Sequence, residues 1–264
     1  MTDQATVTAV SEVSSRWRGI AVQVFIHATI LLIWEIACRT VIPPLFFPPP
    51  SAVFMAFVQT IRSGELPRQF VETLGVLSAG FGLSVITGVT LGLLMGTIRI
   101  VAKVLDPYVN ALYAMPTVAL VPLVIIWLGL GFEAKVFLTW IVGVFPIVIA
   151  VQAGVQNIPV AYIETARAFA VSRRDMLWKV IIPAAIPFFV SGLRLGLGRA
   201  LVGAVVAEMF TALSGLGYMV TFYGNTFKTA LMFVPIISLA ILSIAITEVI
   251  RLAERRLVPW AGRN

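Results

Sequence analysis

Apolar runs of about 20 residues recur along this chain, and no other feature constrains its fold so strongly. An α-helix rises ~1.5 Å per residue, so ~20 residues cross the ~30 Å hydrocarbon core of a bilayer. In lipid each backbone N–H and C=O must be satisfied within the segment, which makes such runs helices. Hydropathy places spans at 20–38, 73–98, 112–128, 136–152, 186–210 and 231–250. The fold class expected is all-α, a polytopic membrane protein of about six transmembrane helices. A single membrane domain, 20–252, lies between a polar tail, 1–19, and a basic tail, 253–264. With 59% hydrophobic and 12% charged residues, the chain has too little charge to cover a soluble domain of 264 residues.

The net charge of +7 does not point to nucleic acid. Lys and Arg stand at the ends of the apolar runs, where they set topology, and no basic stretch is interleaved with aromatics. The single Cys38 can form no internal disulfide, and the lone His27 has no neighbour to complete a metal site, so both read as structural. Residues 1–18 carry Arg16 and Arg18 before the first run, as a signal peptide would. That run is too long and lacks a small-residue cleavage site, so it is expected to be an uncleaved span.

With six spans, both termini share one side of the membrane. The termini side has twelve Lys and Arg: Arg16, Arg18, Arg99, Lys103, Arg167, Arg173, Arg174, Lys179, Arg251, Arg255, Arg256 and Arg263. The other side has five: Arg39, Arg62, Arg68, Lys135 and Lys228. Basic residues accumulate in the cytoplasm, so both termini and the 159–183 loop are expected there.

Prolines 43, 44, 48, 49 and 50 stop the first span, and an amphipathic segment with Arg62, Glu65, Arg68 and Glu72 follows. Pro107 and Pro116 precede and open the third span. Small residues at every fourth position mark close helix contact in lipid. Ser84, Gly88, Gly92 and Gly96 make one such stripe; Gly192, Gly196, Ala200 and Ala204 make another. Tight intramembrane packing is the reading of both, and the second stripe also suggests pairing of two copies through the fifth span. Ionisable residues inside spans face a cavity or a partner. Arg199, Arg194 and Glu208 in the fifth span are therefore pathway candidates. The competing structural reading pairs Arg194 with a carboxylate such as Glu248.

The 159–183 loop is long for so economical a chain. Ile163, Ala166, Ala170 and Leu177 can share a face, with Arg167 and Arg174 elsewhere, giving an amphipathic element fit for lipid or for a partner's groove. The segment resembles the EAA loop of ABC importer permeases. Glu164 and Ala166 match its opening, Val180 stands at its isoleucine, and Ile182-Pro183 stands for Leu-Pro with the spacing kept. Thr165 replaces the middle alanine and Ala170 the glycine; an alanine there is strained if the turn needs positive φ. Further matches are Leu45–Ser51 after the first span, Asp106-Pro107, Pro116, Trp127-Leu128-Gly129-Leu130-Gly131, Gly192-Leu193-Arg194-Leu195, Ala207-Glu208 and Gly215-Leu216-Gly217. They resemble the branch importing nitrate, sulfonates, taurine and bicarbonate.

That resemblance implies the type I permease fold and a place in the inner membrane. It implies two permease copies forming the pathway and two cytoplasmic ATPase subunits bound at the EAA loops. An extracytoplasmic binding protein would deliver the solute, an organic or inorganic anion in this branch, though related permeases carry uncharged vitamin precursors too. Glu164, Thr165, Ala166, Ala170, Arg173, Arg174 and Pro183 would form the coupling element. The chain has no G-x-x-x-x-G-K-[ST] segment, so ATP and Mg would be bound by the partner, with no cofactor here. A stand-alone secondary transporter or channel is the alternative, but no inverted repeat or midplane carboxylate set supports it. An intramembrane enzyme lacks its chemistry: there is one histidine and no G-x-S-x-G.

Overall fold

The computed structural model describes residues 3–41, 43, 45–211 and 213–257. The helices are α1 (Asp3–Thr40), α2 (Pro50–Arg62), α3 (Glu65–Thr97), α4 (Arg99–Ala114), α5 (Val121–Leu128) and α6 (Phe132–Gln156). They continue with α7 (Val160–Ala168), α8 (Arg173–Asp175), α9 (Ile182–Thr211), α10 (Leu216–Asn225) and α11 (Thr229–Leu257). A π-helical stretch, Met176–Ile181, joins α8 to α9, so one 39-residue helical rod runs from Arg173 to Thr211.

Helix α6 is the axis of the molecule, and glycines put it there. A Cβ on Gly80 would lie 2.5 Å from Thr139 Cβ; on Gly88, 2.8 Å from Ile147 Cβ; on Gly96, 2.6 Å from Val155 Cβ. From α9, a Cβ on Gly192 would lie 2.8 Å from Ala150 Cβ, and one on Gly196 would lie 2.5 Å from Ile147 Cγ1. Neither stripe has room for a methyl group. Without a hydrophobic drive between helices in lipid, this close approach is what holds a bundle together. The two stripes are thus consumed inside the chain, the first between α3 and α6 and the second between α9 and α6. The expectation that the fifth-span stripe pairs two copies is corrected: Gly192, Gly196, Ala200 and Ala204 are buried against their own α6.

The register also fixes directions. Positions 80, 88, 92 and 96 meet 139, 147, 151 and 155, so α3 and α6 run parallel. Residues 98–131 must therefore carry the chain back across the bilayer. They do so as a broken pair, α4 and the 117–128 segment, bent by 90°. Hydropathy suggests one helix over 112–128; the structure has a break instead. Pro116 lacks an N–H and pushes Met115 to extended backbone, φ −69° and ψ 138°. Pro107, in contrast, is accommodated inside α4. Among the described residues five helices are long and apolar enough to cross a membrane, and this broken pair, taken as one span, makes six.

Two elements extend beyond the sequence reading. The segment with Glu65, Arg68 and Glu72 forms the first two turns of α3, while α2 is a separate helix before it. Helix α10, between the fifth and sixth spans, has no counterpart in the hydropathy pattern. Helix α1 packs weakly: Phe25, Ile30 and Ile33 are all more than half exposed.

Candidate functional site

The 159–183 loop folds as a helix, a tight reversal and a second helix. Pro159 is the N-cap of α7, where its missing N–H costs nothing. Phe169 ends the helix, and the Val171 N–H donates to the Ala166 carbonyl at 3.2 Å while the Ala170 N–H donates to the Arg167 carbonyl at 2.9 Å. This bond pair is a Schellman motif, whose C′ position takes the left-handed conformation and favours glycine. Ala170 occupies it with φ +52°. The strain anticipated for an alanine at the loop's glycine position is therefore present. Ser172 restarts the chain, its Oγ accepting from the Asp175 N–H at 3.1 Å, and Lys179 pairs with Asp175 at 2.8 Å on the exposed side.

Which residues face outward differs from the sequence expectation. Ala166 is buried against its own chain, so its small size serves internal packing rather than a partner's groove. Glu164, Thr165, Ala170, Arg173 and Arg174 are exposed, whereas Pro183 is half-buried at the start of α9. Sequence reasoning missed the apolar part of this surface: Phe169 is 80% exposed, and Val160, Tyr162 and Trp178 are also largely bare. Their signal was the presence of three aromatics, Tyr162, Phe169 and Trp178, in the same loop as its six charged residues.

The pathway candidates separate. Glu208 is fully buried, apart from the pockets that Arg194 and Arg199 line, and it caps a neighbouring helix rather than facing the pathway. Its Oε2 accepts from Thr73 Oγ1 at 3.0 Å and from the Gly217 N–H at 2.9 Å. Gln69 Oε1 takes the Gly215 N–H at 2.6 Å, and Thr73 Oγ1 takes the Leu216 N–H at 2.8 Å. Three successive orphan amides at the start of α10 are thus satisfied by side chains of α3 and α9. Gly215-Leu216-Gly217 follows from this cap. A Cβ on Gly215 would lie 2.1 Å from Glu208 Cδ, and one on Gly217 would lie 2.4 Å from the Val205 carbonyl oxygen. Beside the cap, buried Lys135 donates to the carbonyl and hydroxyl of Ser214, both at 2.9 Å.

Arg194 and Arg199 lie off the buried stripe of α9, and both are exposed. Glu248 is bonded to Arg251. Arg199 places its guanidinium carbon 5.9 Å from the centre of the Tyr113 ring. It lines a pocket of about 390 Å³ with the Tyr113–Val118 break, Phe145 and Val202. Among the described residues no group of three or more His, Cys, Asp or Glu could hold a metal.

This arrangement has counterparts among known proteins. Residues 88–262 match the family described as binding-protein-dependent transport system inner membrane component. The taurine transport system permease protein TauC of Escherichia coli K12 is 31% identical, over 94% of this chain and 93% of that protein. The putative aliphatic sulfonates transport permease protein SsuC of Bacillus subtilis 168 is 32% identical, over 88% and 85%. The formylaminopyrimidine transport permease protein ThiX of Halalkalibacterium halodurans is 30% identical, over 89% and 94%. In fold, a chain of the inward-facing MetNI methionine ABC transporter superimposes with a TM-score of 0.61 at 22% identity, covering 73% of this chain and 94% of that one.

Proposed function

Because the chain belongs to the family of binding-protein-dependent transport system inner-membrane components, and is an ABC transporter permease subunit, we propose how it divides that work with its partners. Two copies pair across the face of α9 that α6 leaves uncovered, and the solute passes between them. Each copy engages one cytoplasmic ATPase subunit, which binds the ATP and Mg, through the 159–183 loop. Both termini share the cytoplasmic side with that loop. An extracytoplasmic binding protein loads the opposite end. The solute is a small organic anion of the sulfonate kind, a reading supported by the TauC and SsuC likenesses over most of the chain.

The observation that carries the coupling reading is Phe169, an aromatic ring 80% exposed at the corner of a turn whose helix is anchored from behind by buried Ala166. A bare aromatic on a rigid corner is suited to fill a partner's pocket, and such anchors dominate interface energetics. With Phe169 80% exposed, Phe169→Asp gives up little internal packing and leaves the turn's backbone hydrogen bonds in place. Loss of a buried aromatic anchor costs at least ~2 kcal/mol, about thirty-fold in affinity. The tagged variant is expected at normal membrane abundance but without co-purifying ATPase subunit, while Phe169→Tyr retains it. Retention of the ATPase by Phe169→Asp would remove this loop as the docking site. A wild-type chain that transports with no ATPase bound would instead favour the stand-alone transporter.

A further inference from the structure

Arg199 is placed where a cation is hard to keep. It lies 12 residues before Thr211 and 17 after Ile182, so at ~1.5 Å per residue it is deep in the bilayer, about 18 Å from one helix end and about 26 Å from the other. Among the described residues no carboxylate pairs with it; its described contact is the Tyr113 ring. A guanidinium at this depth persists when it faces water or a partner rather than lipid. The side chain lines the 390 Å³ pocket enclosed by α9, α6 and the break after α4. At that same depth the third crossing is broken, between Ala114 and Thr117. Non-helical backbone inside a membrane is tolerated where it lines a cavity, and interrupted spans mark solute sites in transporters.

We propose that this pocket is a mid-membrane anion site, in which Arg199 receives the single oxyanion group of the passing solute. Tyr113 offers the guanidinium its ring face from one side. Thr117 adds a hydroxyl, and Val118, Phe145 and Val202 provide apolar wall for a short hydrocarbon body. The class of ligand is therefore a small organic monoanion, a sulfonate or carboxylate with little further polarity. One cation without a second donor cluster makes a site that binds and releases, as conduction requires. Arg199 also lines an adjoining pocket of about 400 Å³ with Ser191, Arg194 and Gly198, which leads towards the loop end of α9. The proposal rests on the importer reading for its solute, but its charge selectivity can be tested without transport.

Val202, 56% exposed in the same pocket, supplies the reporter. In a Cys38→Ala background, Val202→Cys gives the chain its sole thiol. The complete transporter, in proteoliposomes, is treated in parallel with anionic and cationic methanethiosulfonate reagents. The anionic reagent is expected to react faster, and adding Arg199→Gln should lower the anionic-to-cationic rate ratio at least tenfold, with Arg199→Lys in between. Uptake of ethanesulfonate should fall at least tenfold in Arg199→Gln in the native background. A rate ratio unchanged by Arg199→Gln overturns the site, and so does a reporter thiol that neither reagent reaches. Absence of ATP-driven uptake in the wild-type complex would count against the importer reading alone, because the reagent ratio is read without ATP.

Discussion

At the scale of single residues, two positions show chemistry the chain tolerates for different reasons. Glu208 is a carboxylate sealed in the bundle, held by Thr73 and the Gly217 amide, and it exists there because α10 needs its first N–H groups satisfied. Ala170 bears a cost with no such return inside the chain: a β-carbon in the left-handed region loses about 1–2 kcal/mol to its own carbonyl. Ala170→Gly should remove that strain, less the ~0.4–1 kcal/mol by which glycine loosens the unfolded chain. A net gain of about 0.5–1 kcal/mol is expected locally. It should be read as slower amide exchange at Ala166–Val171 in the purified protein. Faster exchange there would mean that the alanine is not strained in this turn. Because Ala170 is exposed, its methyl group is free to touch a partner, so transport by the glycine variant tells whether the strain is retained for contact.

At the scale of elements, the decisive unit is the three-helix cluster of α3, α6 and α9, in which each helix touches the other two. The fifth-span stripe invites Gly196→Leu as a probe of dimer pairing, but in this fold the substitution tests something else. A Cβ at 196 would meet Ile147 Cγ1 at 2.5 Å and the Gly143 carbonyl oxygen at 2.9 Å, so leucine must push α9 off α6 within one chain. Overpacking of this kind costs about 1–3 kcal/mol or more when backbone is in the way. The expected result is low membrane abundance and early thermal aggregation. Gly198→Leu, whose Cβ would meet nothing within 4 Å, should leave abundance normal. Equal abundance of the two variants would refute the internal role of the stripe. Much of this layer was legible in the sequence: six apolar runs, both stripes and the loop reversal at Ala170 all follow from residue types and spacing. Three features were not. Which helix a small-residue stripe meets depends on tertiary register, which periodicity does not encode. The break at Met115-Pro116 was hidden because Pro107, the other proline of the same stretch, is simply absorbed into α4. Helix α10 is short, and its start is specified by Gln69, Thr73 and Glu208, residues outside the helix itself.

At the scale of the whole molecule, the parallel run of α3 and α6 turns a question of charge counting into one of geometry. If positions 80 to 96 ascend alongside 139 to 155, the chain must return between them, and the crossing number is even whenever α1 and α11 each span once. The end of α6 and the start of α9 then lie on one side with Arg99 and Lys103, which line a pocket shared with Gln156. Ser51, bonded to Glu35 near the far end of α1, lies on the other. The charge bias alone could have been met by a five-crossing chain in which residues 99–128 never leave one leaflet; the parallel register cannot. Cysteines placed singly at Ser51 and Ser172 in a Cys38→Ala background should therefore label from opposite faces of intact spheroplasts and inside-out vesicles. Ser172 is expected to react with an impermeant thiol reagent only in the inverted vesicles, where the cytoplasmic face is outside. Ser51 is expected to react only in the spheroplasts. Each substitution is in an exposed position at a helix start, so neither should disturb the cluster. Labelling of both from the same face would mean that α4 and α5 form a re-entrant hairpin. The parallel register of α3 and α6, from which the rest of the topology follows, would then be wrong.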